Sequence, residues 1–289
     1  MPNSSNMLVA MAALCWGVSG GIAGILMANG WDALVVSFYR GVIGLLFCLT
    51  WLGLRPRDSG LGNRRLWFWS AVAGLGVAGN FGFYFVSIAH GCVAVAVTLM
   101  YSAPVFVYLL SFALKIEKPT LFKWAAVAMV MIGIVLLTRI YDPEVCNTTP
   151  IGLGAGLLAG LSYAVFIFGF KYAAPHGSPQ AILVIAFATL ACILIRPGDF
   201  SQIAAVPSSP DWPLFISLGV LGAGFSFFFY ISGLHHTTPA VASIIALVEP
   251  VTASLFGVLV LGETLAGAQI FGMGLILVTV TGLSVHSNP

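Results

Sequence analysis

Two charged residues, Glu249 and Arg40, lie deep inside long apolar runs of the sequence. A carboxylate at mid-depth in a bilayer is costly and is by default a functional candidate. For Glu249 two interpretations stay open: it binds a substrate amine or takes up a proton, or it is a structural acid that stabilises a helix break at Pro250. Two also stay open for Arg40: it binds a substrate carboxylate, or it reaches towards the membrane interface or ties down a helix end.

Aromatic and small polar residues fall at similar depth in these runs. Trp and Tyr usually gather at membrane interfaces, and a buried hydroxyl needs a partner. As a set they predict a weakly polar pocket for an uncharged or zwitterionic substrate with an apolar side chain, although each residue alone also fits simple packing. The predicted substrate-binding residues are Trp16, Asn80, Tyr84, Tyr101, Ser102, Tyr163, Tyr230, Ser243 and Glu249, with Arg40 as a candidate charge anchor and Pro104 and Pro250 as helix breaks.

Other kinds of chemistry are not indicated. The sequence has no nucleotide-binding loop and no Gly-x-Ser-x-Gly motif, so we expect neither an enzyme nor an ATP-driven pump. An integral-membrane enzyme is a remote alternative, because it needs acids or histidines clustered at one membrane face, and the pair His235-His236 has no carboxylate nearby. No metal, cofactor or nucleic-acid partner is expected; the net charge is +2 and no basic cluster exceeds Arg64-Arg65.

The composition is that of a membrane protein. Of 289 residues, 60% are hydrophobic and 7% are charged, against about 25% charged residues in soluble domains. A helical span needs about 20 mainly apolar residues. We therefore predict an all-α integral membrane protein with ten transmembrane helices, at residues 7–27, 34–54, 67–87, 93–114, 121–138, 151–170, 180–195, 213–232, 239–261 and 267–285. The first run is expected to be a span and not a cleaved signal peptide, because no Lys or Arg precedes it.

The distribution of Lys and Arg predicts that both termini are cytoplasmic. With the N-terminus inside, the outer loops contain only Arg139 and Arg196, and such a bias sets orientation. The cytoplasmic loops contain eight basic residues: Arg55, Arg57, Arg64, Arg65, Lys115, Lys118, Lys123 and Lys171.

The second half of the sequence repeats the first at an offset of 146 residues. Residues 75–117 align with 221–263 without a gap and are identical at 13 of 43 positions. Because each half has an odd number of spans, five, the second copy enters the membrane upside down. We predict two inverted five-helix repeats, 1–139 and 151–289, in one membrane domain, an arrangement typical of transporters with a site near the midplane. The identities include scarce residue types, at Tyr84/Tyr230, His90/His236, Pro104/Pro250 and Glu117/Glu263, and the two glutamates are predicted on opposite membrane sides.

Glycines recur at every fourth residue in two of the predicted spans. The stripes are Gly20-x3-Gly24 and Gly152-x3-Gly156-x3-Gly160. Small residues on one face let helices approach closely in lipid. The stripes predict either tight static packing or smooth faces along which the two halves rock.

The repeated pattern resembles a known family. Ala94-Val95-Ala96 and Pro104-Val105 recur as Ala240-Val241-Ala242 and Pro250-Val251, and Leu261-Gly262-Glu263 ends the second copy. With Trp16-Gly17, Tyr39-Arg40-Gly41 and Leu247-Val248-Glu249, the sequence resembles the EamA-type branch of the drug/metabolite transporter superfamily over nearly its whole length. Lys115-Ile116-Glu117 departs from the usual Leu-Gly-Glu of that family, at a loop.

The resemblance, above all to YddG-type exporters of aromatic amino acids, implies a secondary transporter. We expect export of aromatic or other apolar amino acids, or related small metabolites, by alternating access through a central cavity. Protons are a candidate coupling ion. The expected location is the bacterial inner (plasma) membrane, and the expected state is a monomer or weak homo-oligomer. Other metabolites or drugs, such as nucleotide-sugars or sugar phosphates, are the alternative substrates, but such anions call for several Lys or Arg.

Overall fold

The computed structural model describes residues 2–56, 59–91, 93–116, 118–142, 149–195 and 199–286. Most of the described residues are helical, and the described part of the chain contains no strand. The helices are α1 (Pro2–Ala28), α2 (Ala33–Leu54), α3 (Arg64–Ala89), α4 (Val93–Met100), α5 (Ala103–Ala113), α6 (Leu121–Thr138), α7 (Pro150–Ala173), α8 (Pro179–Leu194), α9 (Phe200–Ala205), α10 (Trp212–Gly219), α11 (Ser226–Leu234), α12 (Pro239–Ile245), α13 (Val248–Leu261) and α14 (Gly267–His286). A π-helical turn, Val220–Phe225, joins α10 to α11, and 3-10 turns lie at Ala174–His176 and Val206–Ser208.

The ten predicted spans all fall on helical segments, which confirms an all-α membrane fold. Within the described part of the chain, nine helical spans are long and apolar enough to cross a bilayer. The remaining one, α8, has 16 residues, which is about 24 Å at 1.5 Å per residue. The ends differ from the predicted bounds by a few residues, since helices continue into polar sequence: α3 begins at Arg64 and not at residue 67.

Two spans are each interrupted by a short non-helical turn between two helices. In the fourth span α4 and α5 are separated at Tyr101 and Ser102, next to Pro104; in the ninth, α12 and α13 are separated at 246–247, next to Pro250. Pro250 has no N–H to donate to the carbonyl of residue 246, which instead accepts from the Glu249 nitrogen at 2.9 Å. Such breaks are tolerated at membrane depth where the freed backbone is buried in protein or lines a cavity.

Close contact between α3 and α7 joins the two halves. A Cβ added at Gly76 would lie 2.6 Å from the Phe166 nitrogen, and Asn80 Nδ2 donates to the Ala159 carbonyl at 3.0 Å. The α7 glycine stripe packs against the first helix break, because a Cβ at Gly160 would lie 2.7 Å from the Leu99 carbonyl oxygen.

The other glycine stripe does not pack. Among the described residues, a Cβ added at Gly20 or Gly24 would meet nothing within 4 Å. The prediction of tight static packing along this stripe of α1 is therefore wrong, and the alternative, a face along which the two halves rock, stays a prediction. The sequence spacing is the same in α1 and α7, but α1 turns this face towards open space.

Ten spans return both chain ends to one side of the bundle, which we call the terminal face; the side of the α1–α2 connection is the opposite face. At the terminal face, Lys171 Nζ donates to the carbonyls of Leu234, His235 and Thr237 at 2.8, 3.1 and 2.9 Å. Thr237 Oγ1 also donates to Asn6 Oδ1 at 3.2 Å. These bonds tie α1, α7 and the α11–α12 connection together at the terminal face.

The charges beside that connection affect one histidine. Partial burial, with the nearby His236 and Lys171, lowers the pKa of His235 below its usual value. At the opposite face Glu263 is exposed and follows α13. Its predicted repeat partner, Glu117, lies outside the described residues, so the prediction that the two lie on opposite sides stays untested.

Candidate functional site

A cavity of about 360 Å³ begins at the centre of the bundle and extends to the opposite face. Near the centre its lining includes Trp16, Phe166 and Phe227. Met27 and Ala33, which flank the α1–α2 connection, line its outer part. Its walls come from α1, α2, α3, α4, α6, α7, α10, α11 and α13. Both halves of the chain therefore enclose one space that is accessible from one side.

Most of the predicted site residues meet in this cavity. The lining residues from that set are Trp16, Arg40, Asn80, Tyr84, Tyr101, Tyr163, Glu249 and Pro250. Their part in substrate binding stays a prediction, but their convergence is a property of the fold.

Four predicted residues lie outside the cavity lining. Ser102 Oγ donates to the Leu99 carbonyl at 2.6 Å, and Ser243 Oγ donates to the Ala240 carbonyl at 2.8 Å. Both hydroxyls thus bond to the preceding helical turn. Pro104 is buried in α5. Tyr230 is fully buried below the cavity, with its ring centroid 5.0 Å from that of Trp16.

Glu249 is positioned by the second helix break. It lies in the first turn of α13, where the N-terminal end of the helix dipole favours a negative charge. Gly17 lets α1 approach, since a Cβ there would lie 2.6 Å from the Glu249 carbonyl oxygen. Tyr101, at the first helix break, lines the same cavity as Glu249. The two breaks, one from each half, thus contribute side chains to one cavity.

Arg40 is positioned by the π-helical turn. Its Nε and Nη2 donate to the Gly222 carbonyl at 3.0 and 2.8 Å, and its guanidinium lies 5.4 Å from the ring centroid of Phe81. A π turn breaks the regular i to i−4 ladder and is common at functional sites. Arg40 therefore ties α2 to this turn and also lines the cavity, so the two interpretations of Arg40 as anchor and as helix tie are compatible.

Arg40 and Glu249 face the same cavity without a direct ion pair. Among the described residues, the ion pair observed within 4 Å is Arg139–Asp142, at 2.6 Å. The cavity consequently presents a cation and an acid at separate points.

Several lining residues were not predicted. Phe81, Phe166 and Phe227 add aromatic wall, and Ser37 and Ser254 add hydroxyls. Phe81 and Phe227 are identical positions of the internal repeat, so the repeat carried a signal for them. The sequence carried no comparable signal for Ser37 and Ser254, because an isolated serine in an apolar run fits helix packing equally well.

Six buried polar side-chain atoms in the described part of the chain have no hydrogen-bond partner: Trp16 Nε1, Ser70 Oγ, Ser111 Oγ, Tyr163 OH, Ser226 Oγ and Tyr230 OH. A buried unpaired polar group is costly and therefore uncommon in a folded protein. Trp16, Tyr163 and Tyr230 cluster at and below the inner end of the cavity.

Comparisons with known proteins agree with this architecture. A model of the EamA-like transporter family matches residues 3–139 and again residues 150–285. An uncharacterised transporter of Archaeoglobus fulgidus is 31% identical over 267 residues, 90% of each chain. The threonine/homoserine exporter RhtA of Salmonella typhimurium is 25% identical over 219 residues, 75% of this chain and 71% of RhtA. A solved crystal structure has a TM-score of 0.78 over 99% of both chains at 19% identity, which shows a shared fold.

Proposed function

The chain belongs to the EamA-like transporter family, and on this premise we propose that it is a secondary transporter which exports amino acids with apolar side chains or closely related small metabolites. Membership implies a multi-pass membrane protein with a small-molecule substrate. The substrate class, the direction of transport and the mechanism are the proposal.

The observation that carries the substrate class is the separation of Arg40 and Glu249 in one cavity. A zwitterion between them can present its carboxylate to the guanidinium and its ammonium group to the carboxylate, which gives two charge-assisted hydrogen bonds. Tyr101 lines the same cavity and adds a hydroxyl. A substrate of a single charge leaves one of the two groups without a counter-charge in a desolvated site, which is costly.

The size and the walls of the cavity support a small substrate with an apolar side chain. Its volume of about 360 Å³ is near the lower end of the range of about 300–1,000 Å³ for small-molecule sites. The aromatic residues Tyr84, Phe166 and Phe227 are part of its walls. Large anions such as nucleotide-sugars fit less well, because Arg40 is the one basic residue in the described lining.

The proposed mechanism is alternating access. The family model matches the chain twice, and both halves line the cavity, so rocking of one inverted half against the other can open the centre to each side in turn. With both termini cytoplasmic, as the basic residues of the loops predict, the present cavity faces outwards. We place the protein in the bacterial inner membrane, which the similarity to bacterial transporters such as RhtA of Salmonella typhimurium supports.

Uptake into proteoliposomes tests the proposal. Purified protein is reconstituted, and labelled L-phenylalanine, L-methionine and L-threonine are compared with a labelled nucleotide-sugar, with and without a pH gradient. We expect saturable movement of at least one amino acid and none of the nucleotide-sugar. A response to the pH gradient identifies protons as the coupling ion. Transport of the nucleotide-sugar alone would overturn the substrate class.

A further inference from the structure

The internal repeat relates the walls of the cavity to residues that are now buried. Within the aligned blocks 75–117 and 221–263, each lining residue of α3 and α4 has a partner 146 positions later. All of these partners are buried, and all but Phe227 lie outside the lining of the present cavity. The polar lining residues Asn80 and Tyr84 correspond to Ser226 and Tyr230, and the lining residue Val97 corresponds to Ser243.

Ser226 and Tyr230 are also two of the buried groups without a hydrogen-bond partner. They lie one turn apart on α11, so their side chains share one face of that helix. A buried helical serine commonly bonds to the carbonyl four residues earlier, as Ser254 does to Pro250 at 2.9 Å. For Ser226 that carbonyl belongs to Gly222, where Arg40 already donates twice.

We propose that Ser226, Tyr230 and Ser243 line a second, terminal-face cavity that forms when the present one closes, and that they contact the polar groups of the transported solute there. This inference rests on the proposed alternation of the two halves. It accounts for the burial of the Ser226 and Tyr230 hydroxyls without hydrogen-bond partners: they are satisfied by water and substrate in the other state. The present structure shows one state of a pair in which Tyr84 and Tyr230 exchange surroundings.

The repeat also predicts which buried serines should not become exposed in the second state. Ser111 is fully buried and has no hydrogen-bond partner, like Ser226. Its repeat partner, however, is Gly257, which does not line the present cavity. Ser111 should therefore stay buried in both states.

Cysteine accessibility distinguishes these cases. In a background from which the five native cysteines are removed, Ser226→Cys, Ser243→Cys, Asn80→Cys and Ser111→Cys are made one at a time. The serine replacements are nearly isosteric. A membrane-impermeant methanethiosulfonate is applied to either side of sealed vesicles, and an accessible N-terminal tag identifies the terminal face.

We expect Asn80→Cys to react from the opposite face, Ser226→Cys and Ser243→Cys from the terminal face, and Ser111→Cys from neither. If the terminal-open state is a minor one, populated at about 0.1–10%, Ser226→Cys should react about 10- to 1,000-fold more slowly than Asn80→Cys. Two results would overturn the inference. In the first, neither Ser226→Cys nor Ser243→Cys reacts in vesicles that transport. In the second, both variants react only from the opposite face. The labelling experiment does not require an amino acid. If Ser226→Cys and Ser243→Cys react from the terminal face but the protein transports no amino acid, the proposed substrate class is wrong while the second cavity is still supported.

Discussion

The proposed roles of Arg40 and Glu249 in binding the two charged groups of the substrate can be tested with ligands that lack one of those groups. L-phenylalanine carries an ammonium group and a carboxylate, phenethylamine lacks the carboxylate, and 3-phenylpropionate lacks the ammonium group. We expect Arg40→Gln to weaken binding of L-phenylalanine and 3-phenylpropionate and to leave phenethylamine nearly unchanged. Glu249→Gln is the matched variant with the converse expectation, since it should weaken the two ligands that carry an ammonium group.

The expected size of the effect follows from the contacts of Arg40. A guanidinium has five N–H donors, and Nε and Nη2 each donate one to Gly222. Nη1 and the second N–H of Nη2 can therefore face a ligand. A hydrogen bond to a charged group contributes about 1.5–3 kcal/mol, and about 1.4 kcal/mol corresponds to a tenfold change. Loss of one such bond predicts an affinity lower by about 10- to 100-fold.

Calorimetric titration of the purified protein in detergent measures all nine combinations of protein and ligand. Thermal unfolding of each variant shows whether it is folded. An equal loss of L-phenylalanine and phenethylamine binding in a folded Arg40→Gln protein would refute the assignment of the carboxylate to Arg40. It would leave Arg40 as a tie between α2 and the π turn.

Two further predictions concern buried and titrating groups. Tyr230→Phe removes an unpaired buried hydroxyl, which costs about 1–3 kcal/mol, so this variant should have a higher thermal unfolding temperature and slower turnover. The control Tyr84→Phe, at the repeat position that lines the cavity, should not raise the unfolding temperature. An unchanged or lower unfolding temperature for Tyr230→Phe would contradict the prediction. Because the pKa of His235 is lowered in the folded protein, the unfolded chain binds a proton more readily, and stability should fall as the pH drops through about 6.5. His235→Gln should flatten this slope in melting curves recorded between about pH 5 and about pH 8; an unchanged slope would assign it to other groups.

The helical architecture could be predicted because its signals are local. Apolar runs of about 20 residues are sufficient to place membrane spans, and a proline inside a run marks where a span is interrupted. Glu249 could be found in the same way, since an acid inside an apolar run is rarely tolerated unless it has a functional or structural role. The convergence of Trp16, Tyr101 and Tyr163 on one cavity then followed from the repeat and from their depth.

The parts that could not be predicted depend on which face a helix turns inwards. Gly20 and Gly160 have the same spacing pattern, yet one faces open space and the other packs on a helix break. Tyr84 and Tyr230 are identical in the repeat, yet one lines the cavity and the other is buried. A symmetric sequence cannot show which of two related packings is occupied. The bond from Arg40 to Gly222 depends on a π turn, for which the sequence carries no periodic signal.

The three bonds of Lys171 have a mechanical consequence. To separate α7 from the α11–α12 connection, all three carbonyls must lose the ammonium group together, at about 1.5–3 kcal/mol for each bond to a charged group. The bond between Thr237 and Asn6 joins two neutral groups and is worth about 0.5–1.5 kcal/mol. At this end of the protein α7 should therefore carry the α11–α12 connection with it as a single rigid unit, while α1 is joined to the same region by Thr237 and by close packing against Gly233.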